Sequence, residues 1–411
     1  VEVAARSDDR PLRGLRVLDL SRVIAGPHCT RMLSDLGADV IKLEPPEGDQ
    51  TRAAGKLGGV SSSGFIQLNV GKRLISVDLA REAGRDLVRR LCAEVDVLIE
   101  NFRPGVMDAW KLDFGSLQQS CPRLIYVSIS GYGQKNSWRH RRAYAPYVHA
   151  EAGYLHTVSK LKSGPIEHDP MSIADFAAAK DAAVAVLAAV IHRERTGRGQ
   201  HIDVSLAHSI LFQNEFVSAL LSPTARPPRS GSTPQTIFTT SDGHSFSCGN
   251  PVSSQVFAKI CSAFGCMELT TDERFLDSGR RRDRRAELIG ELQAALLQRG
   301  TAEEVGVLLE AEGLVVGRVR TVADAVQAPW AVERRAVLDF SDESGAPVRI
   351  PSAPWRFSEV DVTSVPRPLG PGTDNRDVLV ELLRMSDAEI EALQADGTLR
   401  SSIEATLPEA E

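Results

Sequence analysis

The stretch GLRVLDLSRVIAGPHCTRMLSDLGADVIKLEPPEGDQTR, residues 14–52, decides the fold class. Residues 17–20 form a short apolar run, and Ala25-Gly26-Pro27 reads as a tight turn into an amphipathic helix that ends near Gly37. Residues 40–43 form a second apolar run closing on Glu44. Strand, helix and strand in that order make the first βαβ unit of a doubly wound α/β domain, the architecture of nucleotide-like ligands. The turn is AGP, without the G-x-G-x-x-G that lets a diphosphate approach the backbone, so no NAD is expected.

The pattern repeats outward. In KRLISVDLAREAGRDLVRRLCAEVDVLIENFRPGVM, residues 74–79 and 95–100 read as strands around a helix over residues 82–92. Residues 124–129 add another strand before Ser130-Gly131-Tyr132-Gly133. Alternation of this kind predicts a mainly parallel sheet with helices on both faces, and ligands outside the carboxyl ends of the strands. Those ends are residues 21–27, 44–52, 101–106 and 130–134. A long alanine-rich helix follows Ser172 and is capped by Gly197; small residues on nearly every face suit a central, buried element. Residues 201–206 alternate like a strand, and residues 221–234 read as a proline- and glycine-rich linker. The domains expected are residues 1–220, a small domain at 235–325, and a return over 330–411 that completes the large one. In the tail, Ser386 and Glu389 have capping-box spacing.

Bulk properties narrow the function. The chain has 411 residues, an apolar fraction of 42% and a formal charge of −6. An acidic balance argues against nucleic acid as a partner, because phosphate neutralisation needs a basic surplus. Basic runs occur at residues 139–142 and 280–285, the second expected to be a solvated face. Six cysteines show no metal-ligand spacing, which predicts reduced thiols, no structural metal and a cytoplasmic setting. Residues 1–12 lack the apolar core of a secretory signal, and the alanine-rich helix is broken by Lys180 and Asp181, so no membrane association is expected.

Several residues could carry chemistry. Asp175 opens the long helix, where the helix dipole favours its ionised form; it is either an N-cap or a nucleophile able to form a mixed anhydride. Asn101-Phe102-Arg103-Pro104-Gly105 leaves a buried strand with an amide, an aromatic ring and a guanidinium, as a simple turn or as a phosphate and adenine contact. Arg142 and Tyr144 offer a phosphate contact and a hydroxyl donor. His149 is either a packed or capping histidine or a catalytic one. Glu44, with Glu47 and Asp49 beyond it, has the position of a ribose-binding acid after the second strand, but without the dinucleotide fingerprint these residues default to loop acids.

Together these blocks resemble the class III CoA-transferases, a family that also holds the α-methylacyl-CoA racemases. The AGP turn with GADVIKLEPPEGDQTR, then NVGKRLISVDL, DVLIENFRPGVM, LIYVSISGYGQ, MSIADFAAAKDAAVAVLAAVIHRERTGRGQHIDVSL and RPLGPGTDNRDVL match it in order along almost the whole chain. The resemblance implies a Rossmann-like large domain plus a small α+β domain in an interlocked homodimer. It implies coenzyme A, carried as an acyl-CoA substrate, and a carboxylic acid acceptor. Asp175 is then the nucleophile of an acyl-anhydride and aspartyl-CoA mechanism. CoA is expected near Ile24, Ala25, Val77, Leu79, Asn101, Phe102, Arg103, Arg142 and Tyr144. The chain departs from the family where Pro45 and Pro46 stand in place of a phosphate-binding arginine and where Ala80 replaces a lysine; Arg52, Arg81 or Arg103 are the candidate substitutes. The glycine-rich loop of formyl-CoA transferases is not evident, so formyl or oxalate specificity is not expected. The racemase histidine aligns on Tyr144, whose ordinary pKa near 10 suits two-base racemisation poorly. A racemase, an intramolecular CoA-transfer isomerase and a CoA-binding protein without catalysis are the alternatives.

Overall fold

The computed structural model describes residues 9–53, 61–162, 164–222, 236–342, 345–362 and 370–400. The linker expected at 221–234 falls almost entirely outside them. The chain divides into two compact units. The first comprises residues 1–158, 166–226 and 330–411, the second residues 159–165 and 227–329.

The first unit is built on six strands: β1 (Arg16–Asp19), β2 (Asp39–Glu44), β3 (Arg73–Ser76), β4 (Val97–Glu100), β5 (Ile125–Ser130) and β6 (His201–Ser205). Their order is β3-β2-β1-β4-β5-β6, and every pairing is parallel. The order reverses between β1 and β4, which opens a crevice at their carboxyl ends. Alternate side chains serve opposite faces, as the two-residue strand period requires. Val17, Val97, Ile99 and Val127 enter one apolar cluster, whereas Leu18, Ile41, Leu98 and Tyr126 enter the other.

Helices cover both faces. On the first lie α1 (Ala25–Asp35) and the long α3 (Ile173–Thr196); on the second lies α2 (Glu82–Cys92). Ala25-Gly26-Pro27 is the first turn of α1 itself rather than a turn leading into it. Gly26 is required there, since a Cβ would lie 2.1 Å from the Cβ of Ser21. The reading of α3 as buried all round needs correction. Ala174, Ala178, Ala182 and Val186 are buried, but Val184 is 67% exposed and Ile191 is 51% exposed. Small side chains let α3 pack closely on one side and leave an apolar stripe open on the other.

The tail finishes the sheet. Just before α4 (Asn375–Leu383), the Asp374 carboxylate accepts the Leu74 N–H at 2.7 Å, and Asn375 Oδ1 accepts the Ser76 N–H at 2.9 Å. These bonds occupy the outer side of β3, which would otherwise be an open edge. The helix α5 (Asp387–Ala395) begins with the Ser386–Glu389 capping box in both directions. An antiparallel hairpin of Val337–Ser341 and Pro347–Pro351 also belongs to this unit.

The second unit has an antiparallel sheet of β7 (Thr236–Thr239), β8 (Ser245–Cys248) and β9 (Val316–Arg318). Its core gathers Phe238, Phe246, Phe257, Phe264 and Phe275 with leucines of the helices Arg285–Leu296 and Ala302–Ala311. Among the described residues, no helix is long and apolar enough to cross a membrane.

Candidate active site

The crevice between β1 and β4 opens into a cavity of about 320 Å³. The end of β1 supplies Arg22 and Val23, and α1 begins there at Ala25. The end of β4 supplies Asn101, Phe102, Arg103 and Pro104, and β5 contributes Ile129 and Ser130. Gly131 follows, and a Cβ on it would lie 2.1 Å from that of Ala143. Arg139, Arg141, Arg142 and Tyr144 come from the next segment, and Asp175 from the first turn of α3.

Asp175 is the third residue of α3, so it is not the N-cap. Ser172 holds the cap position without a side-chain cap bond. Instead, Nε2 of the buried His149 accepts the Ala174 N–H at 3.1 Å. That bond decides the role of His149: the ring satisfies a helix end. The Asp175 carboxylate is thus spared from capping and lies on the cavity wall. Burial raises its pKa from 3.8 to about 6, against a smaller lowering effect of its own backbone N–H. A carboxylate so placed is ionised at neutral pH yet poorly solvated, the state a nucleophile needs.

The charge around it is one-sided. Arg22, Arg103, Arg139, Arg141 and Arg142 all line the cavity, and Asp175 is the sole acid among the described lining residues. Arg141 is tethered to Glu151 at 2.7 Å and stacks 3.9 Å over the Trp138 ring; Arg22 lies 5.2 Å from the Phe102 ring centroid. Among the described residues, neither Arg103 nor Arg142 forms a salt bridge, which leaves their guanidinium forks available for phosphate or carboxylate.

Asn101, Phe102, Arg103, Arg142, Tyr144, Ala25 and Asp175 line one cavity, with Ile24 adjoining as the N-cap position of α1. Val77 and Leu79 do not. Both side chains are buried in the second apolar cluster, and the Val77 N–H donates to the Glu44 carbonyl at 2.9 Å. Glu44 is neither a ribose contact nor a loop acid. It is fully buried, and its two oxygens accept from Arg52 Nε at 2.7 Å and Nη2 at 2.6 Å. The same pair withdraws Arg52 as a substitute for the arginine absent at Pro45, and Arg81 pairs with Asp78 at 3.2 Å. Arg22, Arg139 and Arg141 are the charged lining residues that are not among the expected site residues. The basic run at 139–142 is a visible signal, though nothing in it separates cavity-facing arginines from solvated ones. Arg22 falls within the strand end at 21–27, but nothing in that segment singles it out, since only the fold brings Phe102 beneath it.

Under the crevice floor lies a buried ionic network. Lys72 Nζ donates to Asp19 Oδ2 at 3.0 Å, Asn69 Oδ1 at 2.8 Å and the Pro27 carbonyl at 3.0 Å. Thr30 Oγ1 donates to Asp19 Oδ2 at 2.6 Å, and Ser21 Oγ donates to the other carboxylate oxygen. Burial alone would raise the Asp19 pKa, but Lys72, then Lys42 and the two hydroxyls, hold it below 3.8. Among the described residues, no group of acids, cysteines and histidines could hold a metal ion.

Residues 12–377 match the family described as CoA-transferase family III. The chain belongs to CoA-transferase family III. It is an enzyme of that class, and its relatives cover its length. A succinyl-CoA–D-citramalate CoA-transferase of Chloroflexus aurantiacus is 31% identical over 96% of this chain and 99% of its own. A mouse succinyl-CoA:glutarate CoA-transferase is 30% identical over 95% of this chain and 90% of its own. Among solved structures, a CAIB/BAIF family protein from Brucella suis has a TM-score of 0.80 and 34% identity, covering 91% of this chain and 100% of its own.

Proposed function

We propose that this family III transferase moves CoA between two carboxylic acids, with Asp175 as the covalent relay. What carries the reading is Asp175 itself, a partly buried carboxylate facing a cavity whose other charges are all arginines. An Asp175 oxygen attacks the thioester carbon of the donor acyl-CoA, the C–S bond breaks, and CoA thiolate leaves behind a mixed anhydride. The thiolate attacks the Asp175 carbonyl carbon and expels the donor acid as its carboxylate, which leaves an aspartyl-CoA thioester. The acceptor carboxylate attacks that thioester, forming a second anhydride and releasing thiolate again. Attack of the thiolate on the acceptor's acyl carbon gives the new acyl-CoA and frees Asp175. Each tetrahedral step develops an oxyanion. The N–H groups of Ala25 and Gly26 in the first turn of α1, a turn that a helix leaves without intrahelical acceptors, are the proposed backbone donors, because those of Ala174 and Asp175 are already taken by His149 and Ser172.

The arginines favour substrates with a charge beyond the reacting carbonyl. CoA phosphates take part of this field, and a dicarboxylic acid would take the rest through its second carboxylate. The relatives named for succinyl-CoA, citramalate and glutarate act on acids of that type, which supports the same class here. Racemisation is disfavoured on two counts: Tyr144 stands at the aligned position of the base, and the His149 Nε2 is engaged by Ala174. A homodimer is also proposed. A groove of about 610 Å³ along the open side of α3, lined by Met32, Val184, Leu187, Trp355 and Phe357, suits a second copy. Light scattering is expected to return the mass of two chains.

The direct test is to incubate the protein with succinyl-CoA and treat it with borohydride. Reduction of an aspartyl-CoA thioester converts Asp175 to homoserine, detectable in the peptide that begins α3. Absence of that product, together with no exchange across acetyl-, succinyl- and glutaryl-CoA donors, overturns the proposal. Substituting Arg142 by alanine is expected to raise the KM for acyl-CoA about tenfold while kcat changes little. A phosphate contact is held equally in the ground and transition states, so its loss is uniform. Steady-state kinetics at two salt concentrations check this, and the difference from wild type should shrink at high salt.

A further inference from the structure

The turn at residues 21–23 is held by side chains from four separate parts of the chain. The Ser21 N–H donates to Asp19 Oδ1 at 3.0 Å, and the Ser21 carbonyl accepts from Lys42 Nζ at 2.8 Å. The carboxamide of Asn101 takes both polar groups of Arg22: Oδ1 accepts its N–H at 2.7 Å and Nδ2 donates to its carbonyl at 2.7 Å. The Val23 N–H donates to Asp49 Oδ2 at 3.3 Å. Val23 has a φ of 69°, in the left-handed region that a β-branched residue strongly disfavours. Strain of this kind persists only where the surroundings over-determine the backbone.

We propose that Asn101 is a positioning residue, whose two-pronged grip on Arg22 keeps the next residue, Val23, left-handed and so fixes the wall of the Asp175 cavity. The inference rests on the transferase reading above and assigns Asn101 a role other than contact with CoA. A carboxamide can accept from an N–H and donate to a C=O of the same residue at once, as a neighbouring strand would. The consequence is local. Arg22 and Val23 line the cavity, and α1 begins at Ala25, two residues after the strained position. If the grip is released, Val23 relaxes toward negative φ, and both the Arg22 guanidinium and the first turn of α1 shift against the reacting carbonyl. Displacements of this size act chiefly on the transition state, where alignment matters most.

The test is a cycle between the clamp and the strain. Asn101→Ala and Asn101→Asp are made in the native background and again with Val23→Gly, because glycine adopts a φ of 69° without penalty. Asn101→Asp preserves shape but turns a carboxylate oxygen toward the Arg22 carbonyl, so it carries the test should the alanine variant fail to fold. In the native background each substitution is expected to lower kcat by about 30-fold or more, with the KM for acyl-CoA moving less than about 3-fold. With Val23→Gly in place, the same substitutions are expected to cost no more than about 5-fold. Equal losses in both backgrounds, or a loss confined to KM, would mean direct contact with CoA and overturn the proposal alone. A wild-type protein inactive with every acyl-CoA overturns the transferase reading and this proposal with it.

Discussion

Replacement of Asp175 by alanine lowers CoA transfer by at least about ten-thousand-fold, with binding of acyl-CoA largely retained. The expectation follows from the cavity: among its described lining residues no second acid stands ready to replace the nucleophile. Removing a covalent relay removes the pathway rather than one contact in it, so kcat carries the loss. The pH profile is an independent check. Burial raises the Asp175 pKa to about 6, and only the ionised form attacks. The kcat/KM of the native enzyme is therefore expected to fall about tenfold per pH unit below that value and to level off above it.

Stability should move in the opposite direction. A carboxyl group whose folded pKa lies above its unfolded value of 3.8 penalises the fold once it is ionised. The penalty is absent at low pH, develops as pH rises through 3.8, and is complete above about 6. Asp175→Asn is thus expected to stabilise the protein at pH 8 by about 2 kcal/mol, after allowance for partial exposure. Denaturant midpoints for the native protein and the Asp175→Asn variant should converge near pH 4. A gain unchanged at that pH would show that desolvation of the charge is not its cause.

How much of this was legible in the sequence depends on whether a residue's role is local. The strands announce themselves by apolar runs bounded by turns, and the helix α2 over Glu82–Cys92 matches its expected span. The convergence of 22–25, 101–104 and 130–131 follows from one rule, that ligands gather at strand carboxyl ends where the order reverses. The turn at 44–52 obeys the same rule but contributes only Gln50 to the cavity. Glu44 and Arg52 are consumed by their own ion pair and Asp49 by Lys42, pairings that no spacing in the sequence reveals. His149 could not be assigned either, since its role is fixed by a hydrogen bond across 25 positions to Ala174. The tail motif GTDNRDVL is a different case. Its conspicuous Asp374 and Asn375 invite a functional reading, yet both serve the backbone of β3.

The other large effect lies beneath the site. Substituting Lys72 by methionine is expected to cost about 3 kcal/mol or more of folding stability, because it strands a buried charge. Asp19 and Lys72 are both fully buried, and Lys72 Nζ also ties the Pro27 carbonyl at the start of α1 to Asn69. Without the ammonium, Asp19 keeps Ser21 and Thr30 as hydrogen-bond donors but loses the nearest of the two cations that hold its pKa down. Desolvation, the largest influence on Asp19, then meets less opposition, and the pKa is expected to rise above 3.8. The sign of the pH dependence follows. In the native protein the depressed Asp19 pKa contributes stability that is present above 3.8 and lost only as pH falls through its lower folded value. In the variant, the raised pKa makes the ionised group a liability that acid relieves. The stability gap between the two proteins is therefore widest near neutral pH and narrows steadily on acidification. Urea titrations from pH 7 to pH 4 measure it directly. The double replacement Asp19→Asn with Lys72→Met should recover a substantial part of the loss, since removing both charges leaves none uncompensated. A gap that stays constant with pH, or a double variant no better than the single one, would mean that packing of the lysine stem rather than its charge supports the crevice floor.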